Sequence, residues 1–199
     1  MTEHENTWDK LLKIKTTGRD DSNADQYCYP YEPTPYPVLE RLANTGLIRK
    51  KDVVLDYGCG KGRVEFFLSY QSKAKTIGVE YDERMYLNAL ENRRMSVSGT
   101  RTAFVWMRAE EYDVPAEVSR CYFFNPFSVE ILGQVMERLL NSYRKNPREI
   151  LLFFYYPSDE YIAYLEKMES LKYYEQIACD DLFLEKNPRE RIAVFLLAE

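Results

Sequence analysis

The chain has 199 residues, 45% hydrophobic and 30% charged, with a formal net charge of −5 and no apolar run near the ~20 residues that span a bilayer. A soluble, cytoplasmic α/β-sized chain is expected, because the polar start MTEHENTWDK is no signal peptide; the charge indicates neither a membrane nor a nucleic-acid partner. The single histidine, His4, lies in the polar tail and removes most histidine-based hydrolase, zinc and acid–base mechanisms, while Cys28, Cys59, Cys121 and Cys179 are too dispersed for a metal knuckle or disulfide framework and read as reduced, buried thiols.

In chain order, residues 1–30 read as a polar, tyrosine-rich arm with a short helix around TWDKLLKI, ahead of one domain over 31–199. The prolines of YEPTPYP precede a helix that starts near Tyr36 or Pro37 and stops at Gly46. DVVLDYG (52–58) is a short apolar strand, GRVEFFLSYQ a helix, KTIGVEYD a second strand and ERMYLNALENRRMS a second crossover helix. TAFVWM (102–107) and RCYFFN (120–125) give strands three and four, followed by an amphipathic helix with Ile131, Val135, Leu139 and Leu140 on one side. EILLFFYY (149–156) is strand five and SDEYIAYLEKM a helix. YYEQIACDDLFLE and RIAVFLLA then read as two antiparallel strands joined by a turn at Asn187-Pro188. The tyrosine pairs 155–156 and 173–174 read as core and surface alternation along strands. Five strands with helical crossovers imply a parallel sheet covered on both faces.

Ligands of such sheets bind beyond the carboxyl ends of the strands. Strand one ends in Asp56-Tyr57-Gly58-Cys59-Gly60-Lys61-Gly62-Arg63. A P-loop fails at Leu55 and Gly62, and a dinucleotide fingerprint lacks its third glycine at Arg63. The remaining reading is a D-x-G-x-G-x-G loop for the amino-acid end of S-adenosylmethionine, with Asp56 facing the ligand ammonium and Gly58, Cys59, Gly60 and Gly62 forming the cradle. Glu80 stands twenty positions after Gly60 at the tip of strand two, where an acid accepts both ribose hydroxyls, and Tyr81 flanks the adenine. A nicotinamide enzyme shares the acid-tipped second strand and stays open.

On VVLDYGCGKGRV, GVEYD and CYFFNPF, the sequence resembles the class I S-adenosylmethionine-dependent methyltransferases over about residues 30 to 199, with YEPTPY and FFNPF similar to small bacterial members. The resemblance implies a Rossmann-like, mostly parallel seven-stranded sheet in the order 3-2-1-4-5-7-6, with helices on both faces and a C-terminal antiparallel hairpin. It implies S-adenosyl-L-methionine as cofactor and S-adenosyl-L-homocysteine as product. The family's adenine-reading acid after strand three is replaced by Arg108, which leaves Glu110 or backbone near Ala109 for that task.

In amino-methylating members a related tetrad holds a planar amine through an Asn or Asp side chain, the next carbonyl and an aromatic ring. Here it is shortened to Asn125-Pro126-Phe127-Ser128, of which Asn125, Pro126 and Phe127 are the expected catalytic positions, with a lean toward N-methylation. A packing alternative stands beside it: Asn125 caps the strand or the next helix, Pro126 starts that helix and Phe127 enters the core. O-methylation by a histidine base lacks its histidine, and a magnesium site lacks acids near Asn125 other than Glu130, so no metal is expected; an O-methyltransferase using a tyrosine or bulk water to remove the proton stays open. Tyr31 and Thr34, in YCYPYEPTPY, are the expected lid over the cofactor. The acceptor, an amine on a small molecule or an accessible group of RNA or protein, is not specified, nor is the oligomeric state. A catalytically silent cofactor-binding module stays open.

Overall fold

Alternating apolar strands and helices build one sheet of seven strands, in the order β3-β2-β1-β4-β5-β7-β6. The structure is a computed structural model and describes residues 3–18 and 31–198. Strands β1 (Val53–Tyr57), β2 (Lys75–Glu80), β3 (Thr102–Trp106), β4 (Arg120–Phe123) and β5 (Ile150–Tyr155) pair in parallel. Strand β7 (Arg191–Leu197) is antiparallel to both β5 and β6 (Leu171–Ala178). This is the α/β Rossmann-like arrangement that the family resemblance implies.

Period-two alternation along the central strands divides the core between two faces. Val53, Leu55 and Tyr57 of β1 join Cys121 and Phe123 of β4 on one face, under α5 (Val129–Lys145) and α6 (Asp159–Leu165). Val54 and Tyr122 point to the other face, under α1 (Glu3–Leu12), α2 (Tyr36–Asn44), α3 (Arg63–Ser72) and α4 (Glu83–Met95). Asp56 falls on this second face by the same alternation, which turns a carboxylate toward α3.

Residues 3–16 are part of that second core. Leu12 and Ile14 are buried, and Trp8 packs edge-on to Phe67 at 4.8 Å while its indole N–H donates to Glu40 at 2.6 Å. Cys28, Tyr27 and Tyr29 of the expected arm lie outside the described residues.

Three sequence expectations are corrected. Strand β4 ends at Phe123, so Phe124 and Asn125 lie beyond it. Helix α5 takes Ser128 at its N-cap, so Pro126 does not start it and Asn125 does not cap it. A bulge between Tyr173 and Glu175 breaks the alternation, leaving Tyr173 and Tyr174 both exposed (59% and 50%). No helix among the described residues is long and apolar enough to cross a membrane.

Candidate functional site

The carboxyl ends of β1, β2, β3 and β4 surround one crevice. Asp56 sits at its floor, flanked in register by Gly78 of β2 and Tyr122 of β4. The missing side chain at Gly78 leaves a hollow on β2, and the Glu65 carboxyl from α3 fills it together with the Cys59 thiol. Glu65 and Asp56 are both buried, at 1% and 4% exposure, and their charges act on each other. Among the described residues neither Glu65 oxygen has a hydrogen-bond partner. Burial first, and neighbouring acid charge second, push both carboxyls well above the ordinary range. Burial also raises the Cys59 thiol, which makes it an inert packing group.

The turn after β1 is held by backbone bonds and shaped by close contacts. The N–H groups of Gly58 and Cys59 donate to the Val79 carbonyl at 2.9 and 3.2 Å. Gly58 has φ +75°, and a Cβ there would stand 2.6 Å from Pro126 Cβ, so the loop and the strand-four motif meet without room for a side chain. Gly60, at φ +54°, lies under the Tyr31 ring. A Cβ at Gly62 would meet Phe104 at 2.6 Å, so this glycine serves packing beneath the loop.

Glu80 ties the turn to the tip of β2. Its Oε2 accepts the Gly60 N–H at 2.8 Å and its Oε1 accepts the Asp82 N–H at 2.9 Å. Burial raises its pKa, and these two N–H groups oppose the rise. Each oxygen keeps a lone pair, so the fixed carboxylate can accept two further hydroxyls.

A cluster centred on Arg63 fastens the N-terminal residues over this site. Its Nε donates to Thr16 Oγ1 at 2.8 Å, its Nη1 donates to Glu5 and to the Thr34 carbonyl, and the guanidinium lies 4.3 Å from the Tyr36 ring centre. Asp9, also buried, accepts from Thr16 and from the Tyr36 hydroxyl. Tyr31 donates to the Thr16 carbonyl at 2.6 Å, and Thr34 Oγ1 lies 3.1 Å from the Tyr122 hydroxyl. The two residues expected in a lid thus meet the crevice wall from one side.

Tyr81, Ala109 and Glu110 line the opposite side, with Met85, Met107 and Arg108. Residues Ala109–Glu111 form a single 3-10 turn after β3, and Arg108 reaches Glu110 at 3.7 Å.

At the end of β4 the chain adopts an unusual conformation. Asn125 has φ +39° and Tyr156, at the end of β5, has φ +50°; both are left-handed values rare for side-chain-bearing residues. Asn125 Nδ2 donates to the Tyr156 carbonyl at 2.5 Å, which fixes the amide's orientation because an oxygen there would face another acceptor. Asn125 Oδ1 is buried and has no hydrogen-bond partner among the described residues. Phe127 touches the crevice, yet its ring packs against Tyr57 and Phe123 and its carbonyl accepts from Tyr161 at 2.5 Å.

Asp56, Gly58, Cys59, Glu80, Tyr81, Ala109, Glu110, Tyr31, Thr34, Asn125, Pro126 and Phe127 therefore share one crevice, whereas Gly60 and Gly62 stand behind its lining. Sequence reasoning missed the acid at Glu65 and the role of Arg63. The signal for the first was a charged residue inside the otherwise apolar VEFFL (64–68).

No protein-family model matches the chain. A protein-lysine N-methyltransferase from Saccharolobus islandicus (strain REY15A) is 34% identical over 64 residues, which cover 32% of this chain and 40% of that protein's length. Among solved structures, an RNA methyltransferase from Salinibacter ruber in complex with S-adenosyl-L-homocysteine matches with TM-score 0.61 and 16% identity, over 84% of this chain and 95% of that one. A putative RNA methyltransferase from Pyrococcus horikoshii matches with TM-score 0.59 and 18% identity, over 99% and 97% of the two chains. A SAM-dependent methyltransferase from Aquifex aeolicus gives TM-score 0.61 and 14% identity, over 84% and 94%. The chain thus shares the seven-stranded Rossmann-like fold of these solved methyltransferases.

Proposed function

We propose that the chain is an S-adenosylmethionine-dependent methyltransferase acting on an amine nitrogen. The observation that carries the amine reading is Asn125: an amide locked by Tyr156, with a buried oxygen that no protein group satisfies. A buried acceptor left without a donor costs about 1–3 kcal/mol, a penalty that a substrate N–H would remove.

The donor set of the crevice fits the adenosyl sulfonium. Asp56, in the crevice lining, presents carboxyl oxygens that can accept from an ammonium group. Glu80 has lone pairs for ribose hydroxyls; Tyr81, Ala109 and Glu110 suit the adenine end; Tyr31 covers the loop. When bound, S-adenosylmethionine supplies a methyl group for in-line displacement.

The chain's own part is positioning. Asn125 Oδ1 accepts an amine N–H and turns the nitrogen lone pair toward the crevice, while the Tyr156 carbonyl keeps the amide from rotating. Phe127, packed in the core, leaves stacking on the acceptor to other rings. The Saccharolobus relative is named for transfer to lysine nitrogen, which supports an amine over an oxygen acceptor. The test is Asn125→Ala: S-adenosylhomocysteine affinity is retained, and methyl transfer to an identified acceptor falls at least about 100-fold. A variant with full turnover contradicts the clamp.

A further inference from the structure

On the far side of Asn125 a second cavity opens at the ends of β5 and β7. Its walls are aromatic, formed by Phe124, Tyr155, Tyr156 and Phe183. Phe124 and Tyr155 lie 4.6 Å apart between ring centres at a tilt of 50°, and Tyr155 and Tyr156 lie 6.1 Å apart. Antiparallel pairing sets Tyr155 opposite Ile192, which brings Arg189 and Glu190, just before β7, to the end of β5.

The charges in this cavity are unequal in their freedom. Arg189 is fixed in place by neutral partners and keeps its charge: its guanidinium stands 4.3 Å from the Tyr156 ring centre, and its Nε and Nη2 each donate at 3.4 Å to the carbonyls of Pro157 and Tyr156. Glu190 accepts only a neutral donor at its carboxylate, the Tyr155 hydroxyl at 2.7 Å, and no cation pairs with it among the described residues. Glu32 adds a second acidic residue to the lining. An unneutralised carboxylate beside several aromatic faces attracts a compact organic cation by charge and by the ring quadrupoles. The same Glu190 carboxylate repels a phosphate backbone.

We propose that this cavity is the acceptor site and takes a primary alkylammonium group, with Glu190 facing the charge and Asn125 at the boundary with the donor crevice. The assignment rests on the methyltransferase reading above. Asn125 lines both spaces, so an amine seated in the second cavity borders the first. Transfer requires the neutral amine, and the ammonium gives its surplus proton to water before the nitrogen attacks.

The test uses the full chain and two probes of equal length, n-pentylammonium and n-pentanol, titrated by calorimetry in the presence of S-adenosylhomocysteine. The ammonium is expected to bind about tenfold or more tightly than the alcohol. Glu190→Gln, which keeps an acceptor for Tyr155, is expected to erase that preference while S-adenosylhomocysteine affinity is unchanged. Equal binding of the two probes by the unmodified chain overturns the assignment, as does a preference that survives Glu190→Gln or a short RNA oligonucleotide that binds more tightly than the ammonium. If S-adenosylhomocysteine itself fails to bind, the methyltransferase reading falls; if it binds and the ammonium does not, the acceptor assignment alone falls.

Discussion

Asp56 of β1 and Glu65 of α3 place two carboxyl groups against each other beneath the glycine turn, in a hollow that exists because Gly78 carries no side chain. Two such groups cannot both ionise in the interior at ordinary cost, so both carboxyls favour the protonated form.

That arrangement sets a pH dependence. Both carboxyls are raised, by burial first, then by Glu80 acting on Asp56 and by Asp56 acting on Glu65. The folded form therefore binds protons more tightly than the unfolded chain, whose acids titrate near about 4. The stabilisation from this source is complete below that value and is lost as pH rises through the folded-state values. Glu65→Gln imitates the protonated acid, so it is expected to raise Tm at neutral and alkaline pH by about 2–4 °C, with little change in acid. Thermal melts across pH check this; a variant destabilised equally at every pH contradicts the raised titration of the pair.

Removing the cation that fastens the N-terminal residues has a larger effect. Arg63→Met leaves Glu5 and Asp9 without their guanidinium and strips donors from Thr16 and Thr34. The expected loss is about 3–5 kcal/mol in urea unfolding, with faster proteolysis of residues 3–16. A loss under about 1 kcal/mol, typical of exposed pairs, contradicts the clasp.

Much of this was legible in the sequence. Strands β1 to β5 are short apolar runs with clear punctuation, and Asp56 and Glu80 stand at strand ends, where a parallel sheet gathers ligands. Other features arise only on folding. Glu65 looks like a solvated position on a helix until Gly78 opens space for it, and Arg63 reads as a missing glycine until Glu5 and Thr16 reach it from the N-terminal residues. Glu190 and Tyr156 become neighbours only through the β5–β7 pairing. Phe127 carries an aromatic motif position but was drawn into the core by Tyr57 and Phe123.

Gly60 offers a steric test of the donor loop. Ala at φ +54° is strained, and its methyl group collides with the Tyr31 ring. Gly60→Ala is expected to cost about 1–2 kcal/mol of stability and to weaken S-adenosylhomocysteine binding about tenfold. Tyr31→Ala in the same chain relieves the collision but not the backbone strain, so part of the stability returns. Calorimetry and thermal melts of the single and double variants measure both; an unaltered single variant contradicts the contact.

The central claim is that the turn after Asp56 and the carboxylate of Glu80 hold one adenosyl ligand between them. Calorimetric titration of the chain and of Glu80→Ala with S-adenosylhomocysteine tests it most directly. One saturable site is predicted for the unmodified chain, with affinity at least about tenfold lower in the variant. Absence of saturation at millimolar ligand, or equal affinity in the two proteins, contradicts it.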